Sequence, residues 1–242
     1  MIKEGWDVSA AISSVRRESR SGRPEENPAV RQASGAAASD LAQIHQPDVN
    51  LVVWRRSPNR GIAGVAAVLV NTPGFDACLH GTPAVLGFRL RSVLKRAARE
   101  RPRARLRFAA DLSALVRRFA TLTGSTSIHL HLEGIDDDAC SLFHVDRRTL
   151  RLLTAYHGDG TEWLPEAAVN RAALGAGSND AICRDRSQIR RLRPFWVGLF
   201  KGSAHGDDRF GIVHRSPPIR RRGGRRLLLR LDPSADIVTL HD

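Results

Sequence analysis

Three residues in the second half of the chain have side chains that suit a metal site. His144 and Asp146 are two positions apart in the stretch "SLFHVDRRTL", which has the composition of a strand. Residues i and i+2 of a strand point to the same face, so an imidazole and a carboxylate would lie side by side. His214, in "GIVHRSPP", is the candidate third ligand. Two histidines and one carboxylate form a facial triad, which holds Fe(II) and leaves positions open for other ligands.

A glycine and two arginines follow the distal histidine. Gly224 opens a predicted strand, "GGRRLLLRLD", that carries Arg225 and Arg226. A buried guanidinium there could bind a carboxylate through two parallel hydrogen bonds, which a lysine would do less well. Neighbouring strand residues point to opposite faces, so only one of the two arginines can face a pocket. The sequence leaves both as candidates.

Other polar residues offer alternative metal sites. His129, His131 and Glu133 share one face of the segment "SIHLHLEG" and could bind a metal. The residues between them are apolar, so we interpret the polar face as a solvated strand face. Cys140 comes four residues before His144 and is interpreted as a small residue packed beside the site. If Cys140 were a ligand, the softer set would favour Zn²⁺ over Fe(II).

The elements that position these residues fall into two parts. Apolar residues recur at i, i+3, i+4 and i+7 within 62–69, 90–97 and 112–119, which predicts three amphipathic helices. Pro102 separates the last two helices. The stretch "DACLH" at 76–80 is interpreted as a loop between two prolines.

After Gly124 the chain consists of short β-prone segments separated by glycine, proline and aspartate clusters. They are "SIHLHLEG", "TLRLLTAY", "FWVGLFKG", "RRLLLRLD" and "DIVTLHD", and "NLVVWRR" precedes the helices. The pattern predicts an α+β domain over 41–242, with a mainly helical layer at 41–125 and a β-sandwich or jelly-roll core at 126–242. Residues 1–40 are rich in polar residues and are predicted to be a disordered leader.

Composition restricts the class of protein. The formal net charge of the 242 residues is +13, and only three of the 38 basic residues are lysines. This charge leaves a nucleic-acid partner open, but the arginines are scattered, and the run at 220–222 is interpreted as a solvated turn. Three widely spaced cysteines argue against a disulfide framework. The longest apolar run is too short to span a bilayer, so we expect a cytoplasmic protein without a membrane partner.

The order of the motifs carries a resemblance. "FHVD", "LLTAYHGDGTEWLP", "GLFKG" and "VHRSPPIRRRGGRRLLLRLD" resemble the double-stranded β-helix of the Fe(II)/2-oxoglutarate dioxygenases, in a prolyl-hydroxylase-like arrangement. This likeness covers roughly 126–242. More narrowly, "ACSLFHVD", "GTEWLP" and "VHRSP" resemble a bacterial domain-of-unknown-function family over most of 41–242.

The resemblance implies roles for individual residues. The implied iron ligands are His144, Asp146 and His214. Arg226, two residues after Gly224, would bind the distal carboxylate of 2-oxoglutarate, with Arg225 as the alternative. Tyr156, the single tyrosine, would place its hydroxyl against the same carboxylate. The implied activity is hydroxylation of an unspecified substrate. A non-catalytic zinc or iron protein on the same fold, and a nucleic-acid-binding protein using the arginine excess, are the alternatives.

Overall fold

The computed structural model of the protein describes residues 30–206 and 210–234. Its strands are β1 (Arg31–Gly35), β2 (Val49–Trp54), β3 (Asp76–Gly81), β4 (Ile128–Ile135), β5 (Leu150–His157), β6 (Glu162–Trp163), β7 (Arg190–Arg191), β8 (Val197–Lys201), β9 (His214–Arg215) and β10 (Arg226–Pro233). Its α-helices are α1 (Arg60–Val70), α2 (Pro83–Ala97), α3 (Pro102–Thr123) and the single-turn α4 (Asn179–Ile182). Short 3₁₀ helices, the longest at Ala38–His45, connect several of these elements.

The three predicted amphipathic helices are confirmed as α1, α2 and α3, and local signals define their ends. The Asn59 side chain caps α1 by accepting a hydrogen bond from the backbone N–H of Ile62. Pro83 and Pro102 occupy the first turns of α2 and α3, where a missing N–H costs nothing. Gly124 ends α3 in the left-handed conformation, with φ at 67°.

The strands form two sheets. The large sheet has the order β1-β2-β8-β5-β10-β4-β3, and the small sheet has the order β7-β6-β9. Among the described strand pairs, only β1–β2 is parallel. An isolated antiparallel bridge joins His144 to His214 and so adds one more segment beside β9.

The path of the chain between the sheets identifies the fold. Strand β4 lies in the large sheet, the His144 segment in the small one, and β5 in the large one again. Next come β6 and β7 in the small sheet, β8 in the large, β9 in the small and β10 in the large. Eight segments wound in this way make a double-stranded β-helix, or jelly roll. The α+β prediction with a jelly-roll core is confirmed.

The two faces of the large sheet have different partners, and β10 shows the separation. Leu227, Leu229 and Leu231 belong to the core that the sheet shares with the helices. The intervening Leu228 and Arg230 line a cavity on the opposite face. A second apolar cluster joins the large sheet to the small sheet and comprises Leu51, Val53, Leu153, Trp163, Leu192, Phe200 and Ile212. The metal-ligand candidates lie on this second side.

Two sequence interpretations of local structure were wrong. The fold includes β1 and the 3₁₀ helix Ala38–His45, so the predicted leader does not extend to residue 40. The stretch "DACLH" is the edge strand β3, paired with β4. Its flanking Pro83 starts α2 and therefore does not interrupt the strand. Residues 1–29 and the predicted strand "DIVTLHD" lie outside the described residues.

Candidate metal centre

The structure brings His144, Asp146 and His214 together. One potential ligand atom from each lies within 4.8 Å of the others. Nε2 of His214 is 3.3 Å from Oδ2 of Asp146, and Nε2 of His144 is 3.8 Å from Oδ1. Within residues 30–206 and 210–234, this is the one cluster of three or more histidine, cysteine or acidic side chains close enough to share a metal ion.

Backbone pairing positions the two histidines. The N–H of His144 donates to the carbonyl of His214 at 3.0 Å, and the N–H of His214 donates back at 2.9 Å. Directly paired residues of antiparallel segments place their side chains on one face. The imidazole centroids are accordingly 4.6 Å apart.

Asp146 reaches the site from a loop rather than from a strand. Of residues 141–149 only His144 makes a β-bridge, so the predicted strand character of "SLFHVDRRTL" was wrong there. The loop is held by the backbone N–H of Ser203, which donates to the carbonyl of Asp146 at 2.8 Å. A Cβ at Gly202 would lie 2.5 Å from that carbonyl oxygen. The close approach therefore requires glycine at position 202.

Both imidazoles are oriented with Nε2 toward the centre of the group. Nδ1 of His144 lies 2.8 Å from the carbonyl of Leu142, and Nδ1 of His214 lies 3.1 Å from the carbonyl of Ile212. A carbonyl only accepts, so Nδ1 carries the hydrogen and Nε2 of the neutral ring keeps its lone pair. Histidine ligands of metals are commonly oriented in this way.

Arg151 fixes the carboxylate of Asp146 and is itself held by a second aspartate, Asp232. Nη1 of Arg151 donates to Oδ1 of Asp146 at 2.6 Å. The same guanidinium donates to both carboxylate oxygens of Asp232, at 2.7 and 3.0 Å. The other oxygen of Asp146, Oδ2, is buried and has no hydrogen-bond partner among the described residues. It lies 3.3 Å from Nε2 of His214, so a cation held by the group could be coordinated by both atoms.

The electrostatics keep the ligands in the forms that bind metal. Burial alone would raise the pKa of Asp146, but His214, Arg151 and His144 outweigh it and hold that pKa well below its usual range. Burial and the neighbouring His214 lower the pKa of His144. An ionised carboxylate and a neutral imidazole at neutral pH are what metal coordination requires.

A cavity of about 270 Å³ opens beside the triad. His144 and His214 lie on its wall, and Thr161, Leu153 and Leu228 contribute further surface. The cavity provides room for small molecules in contact with a metal at the triad.

Arg226 lies on the cavity side of β10. It is two residues before Leu228, which lines the cavity, and residues two apart in a strand point to the same face. Its side chain is fully buried, and Nε, Nη1 and Nη2 all lack a hydrogen-bond partner among the described residues. Burial lowers the pKa of Arg226 to about 10, so the group is still charged at neutral pH. A buried guanidinium without a partner is costly, and a carboxylate would satisfy it. Arg225 instead donates to Oδ1 of Asn71 at the surface.

Tyr156 does not reach the site. It lies on the helix-facing side of β5, whereas Arg151 and Leu153, at odd positions of the same strand, line the cavity. Its hydroxyl donates to Oδ2 of Asp111 at 2.5 Å and accepts from Nη2 of Arg56 at 3.1 Å. Burial, together with Asp111, raises the pKa of Tyr156 well above its usual value. The assignment of Tyr156 to 2-oxoglutarate is thus corrected to a structural link between β5 and α3.

The alternative metal ligands have other neighbours. His131 contacts Asp76 at 2.7 Å and Arg230 at 2.6 Å, and the ring of His129 stacks on that of His80. This face of β4 is half-buried rather than simply solvated. Cys140 lies in the cavity wall but is not a member of the triad's cluster. The run at 220–222 forms an exposed 3₁₀ turn, as interpreted.

Sequence reasoning missed Arg151 and Asp232. Their partnership joins residues 81 positions apart, and it depends on β5 and β10 being neighbours in the large sheet. The alternation of β5 could have placed Arg151 on one face with Leu153. Only the assembled sheet shows that its partners are two buried carboxylates.

The comparison with family models decides the family. Residues 35–232 match the model described as "Protein of unknown function (DUF1826)". The chain belongs to this family. No curated protein matches the sequence. Among the described residues, no helix is both long and apolar enough to cross a membrane.

Several solved structures resemble the DUF1826 protein at low identity. A BsmA homologue from Methylobium petroleophilum PM1 is 14% identical, with a TM-score of 0.42, and the match covers 81% of this chain and 91% of that one. A prolyl-4-hydroxylase from Pseudomonas putida is 13% identical, with a TM-score of 0.39, over 81% of this chain and 97% of that one. A dioxygenase for auxin oxidation from Arabidopsis thaliana is 11% identical, with a TM-score of 0.36, over 84% of this chain and 92% of that one. The fold assignment rests on the strand winding described above.

Proposed function

We propose that this protein is an oxygenase that uses Fe(II) and 2-oxoglutarate to hydroxylate a substrate in the cavity beside the triad. The observation that carries the proposal is a pair of unsatisfied buried groups in one jelly roll. One is Oδ2 of Asp146, which faces the imidazole of His214, and the other is the unpartnered guanidinium of Arg226. The first suits a divalent cation and the second suits a carboxylate.

The residues of the triad would hold the metal with little rearrangement. Each imidazole is already fixed through Nδ1, so its Nε2 lone pair is directed to the centre of the group. Arg151 fixes Oδ1 of Asp146 and leaves Oδ2 available for coordination. Three protein ligands on one side leave the other side for the cosubstrate and oxygen.

Arg226 would hold the distal carboxylate of 2-oxoglutarate, since its charge has no other described partner. When bound, the metal and cosubstrate would supply the oxidation by O₂: one oxygen atom would convert 2-oxoglutarate into succinate and CO₂, and the other would enter a C–H bond of the substrate. The buried walls of the cavity, including Thr161 and Leu228, would exclude bulk water from the reacting groups.

The test uses the purified full-length protein with Fe(II), ascorbate and labelled 2-oxoglutarate. We expect slow succinate formation without substrate, and its loss in His144→Ala. His129→Ala is the matched control, because His129 lies on the neighbouring β4 outside the triad. Absence of both 2-oxoglutarate binding and succinate formation in an iron-loaded wild-type protein would refute the proposal.

The alternative is a non-catalytic zinc or iron protein that uses the same triad. Metal analysis of the purified protein separates the two functions. Tightly held zinc, with no response to 2-oxoglutarate, would favour the alternative.

The free thiols Cys78, Cys140 and Cys183 support a cytoplasmic setting for the oxygenase, in which iron stays in the Fe(II) state.

A further inference from the structure

A second cleft, of about 360 Å³, lies where one edge of the large sheet meets one edge of the small sheet. Within the described part of the chain, β1 is paired only with β2 and β7 only with β6, so both are edge strands. The cleft between them is lined by arginine and tryptophan side chains: Arg55, Arg190, Arg191, Arg193, Trp163 and Trp196. We refer to these six residues as the arginine–tryptophan cleft.

Three of its four arginines lack a compensating charge from the described residues. Arg191 is paired with Glu162 and Asp159. Arg55, Arg190 and Arg193 make no ion pair with any carboxylate in the described ranges, and the described polar contact of Arg55 is the hydroxyl of Ser34. Three uncompensated guanidiniums around one concavity produce a positive potential that favours an anionic ligand.

The aromatic residues give the cleft a second property. The guanidinium carbons of Arg55 and Arg193 lie 5.6 and 5.3 Å from the ring centroid of Trp196. Guanidinium planes held against an aromatic ring offer flat surfaces on which a base can stack. A simple anion site would not need these surfaces, so they favour a ligand that carries both a ring and an acidic group.

Trp163 provides an independent indication of a ligand. The residue is 6% exposed and lines the cleft, and its indole N–H is buried without an acceptor among the described residues. A buried donor without a partner costs about 1–3 kcal/mol. An oxygen or ring nitrogen of a bound molecule would satisfy it.

We propose that the arginine–tryptophan cleft binds a nucleotide unit. The phosphate of the ligand contacts Arg190 and Arg193. The base stacks against the ring of Trp196 and the guanidinium planes beside it. An acceptor atom on the ligand receives a hydrogen bond from the indole N–H of Trp163. The unit is either a free nucleoside phosphate or part of a single strand, since both present this chemistry. This site is separate from the triad and does not depend on the oxygenase function.

The register of the small sheet places the cleft near the metal centre. Trp163 pairs with Arg190 on one side and with His214 on the other. Arg190 and His214 are therefore two strand spacings apart, or roughly 10 Å. A nucleic-acid single strand bound in the cleft would therefore lie close enough to the triad for the next nucleotide to approach the cavity.

The experiment measures fluorescence anisotropy of a short labelled oligothymidylate with the full-length protein in EDTA, which removes metal as a variable. We expect Arg190→Ala/Arg193→Ala to raise the Kd at least about tenfold and to reduce the slope of log Kd against log salt by about 1.4, which is about 0.7 for each arginine on a single strand. The matched control is Arg103→Ala/Arg107→Ala, which removes two exposed arginines from α3 and should change the Kd by less than about twofold.

Two further variants test the base-stacking surface. Trp196→Leu should weaken oligonucleotide binding about tenfold, and Trp196→Phe should recover most of the affinity. Competition by thymidine monophosphate at micromolar concentration would assign the free nucleotide as the ligand. Binding of the oligonucleotide without such competition would assign a single strand.

Three results would overturn the proposal. One is equal weakening by the α3 control, which would indicate binding through total charge. Another is unchanged oligonucleotide affinity in Trp196→Leu with normal thermal unfolding, which would indicate a phosphate-only site. The last is the absence of binding of either probe by the wild-type protein at low salt.

Discussion

Replacing Arg226 with methionine should make the ligand-free protein more stable. The guanidinium is fully buried, and none of its nitrogens has a described hydrogen-bond partner. Methionine fills most of the same volume and brings no charge into the interior. Replacing a poorly compensated buried charge with an apolar side chain is often stabilising.

The magnitude follows from the pKa. Burial lowers the pKa of Arg226 to about 10, roughly two pH units below that of a free arginine. At about 1.4 kcal/mol for each pH unit, this corresponds to a penalty of about 3 kcal/mol on the charged, folded form. The penalty applies in full below pH 10 and fades only as the pH rises above 10, toward the pKa of the arginine in the unfolded chain. Imperfect packing of methionine should cost about 1 kcal/mol of stability. The net gain in the free energy of unfolding is then about 2 kcal/mol at pH 7.

The assay is thermal unfolding with and without 2-oxoglutarate, with Mn²⁺ in place of iron. A gain of about 2 kcal/mol should raise the Tm of the ligand-free variant by roughly 4–8 °C. The wild-type protein should gain stability when 2-oxoglutarate is added, and Arg226→Met should not. Arg225→Met is the matched control, because Arg225 is a surface residue bonded to Asn71, and its Tm should stay within about 2 °C of wild type.

Either of two results would refute the reasoning. A ligand-free Arg226→Met protein that unfolds below the wild-type temperature would show that the arginine is not penalised in the folded state. A variant that still gains stability from 2-oxoglutarate would show that the carboxylate binds elsewhere.

Three further substitutions test the supports of the site. Arg151→Met leaves the buried carboxylates of Asp146 and Asp232 without their shared donor, and we expect denaturant titration to show a loss of about 3 kcal/mol, partly restored by Mn²⁺. Gly202→Ala introduces a Cβ 2.5 Å from the carbonyl of Asp146, so calorimetry should show weaker Mn²⁺ binding although no ligand is changed. Tyr156→Phe removes a buried hydroxyl that makes two hydrogen bonds on the helix side of β5. Unfolding should show a loss of about 1–3 kcal/mol, and unchanged Mn²⁺ affinity would agree with its place outside the site.

The local pattern was sufficient for elements whose signal is carried by neighbouring residues. Helices α1 to α3 follow from a repeat of 3.6 residues, because one face of each helix must be buried. Strands β4, β5, β8 and β10 follow from β-prone runs between turn residues, whereas the two-residue strands β6, β7 and β9 were not predicted. The edge strand β3 was missed because its identity depends on pairing with β4, which lies distant in sequence.

The pattern of motifs was a weaker guide to the direction of single side chains. Arg225 and Arg226 differ by one residue, and only the register of β10 against β4 and β5 places Arg226 on the cavity side. The same alternation turns Tyr156 away from the cavity and toward Asp111. A shift of one residue along a strand reverses its faces, so motif order alone does not decide such cases.

The sequence by itself determined the types and order of the chemical groups: two histidines and an aspartate for a metal, and an arginine after a glycine for a carboxylate. Only the tertiary structure decided which groups meet. It placed His144 beside His214 through a bridge across 70 positions, fixed Asp146 through Arg151, and left Arg226 buried without a partner among the described residues. The physical reason is that hydrogen-bond pairing and burial between distant strands depend on the assembled sheets, which no local spacing specifies.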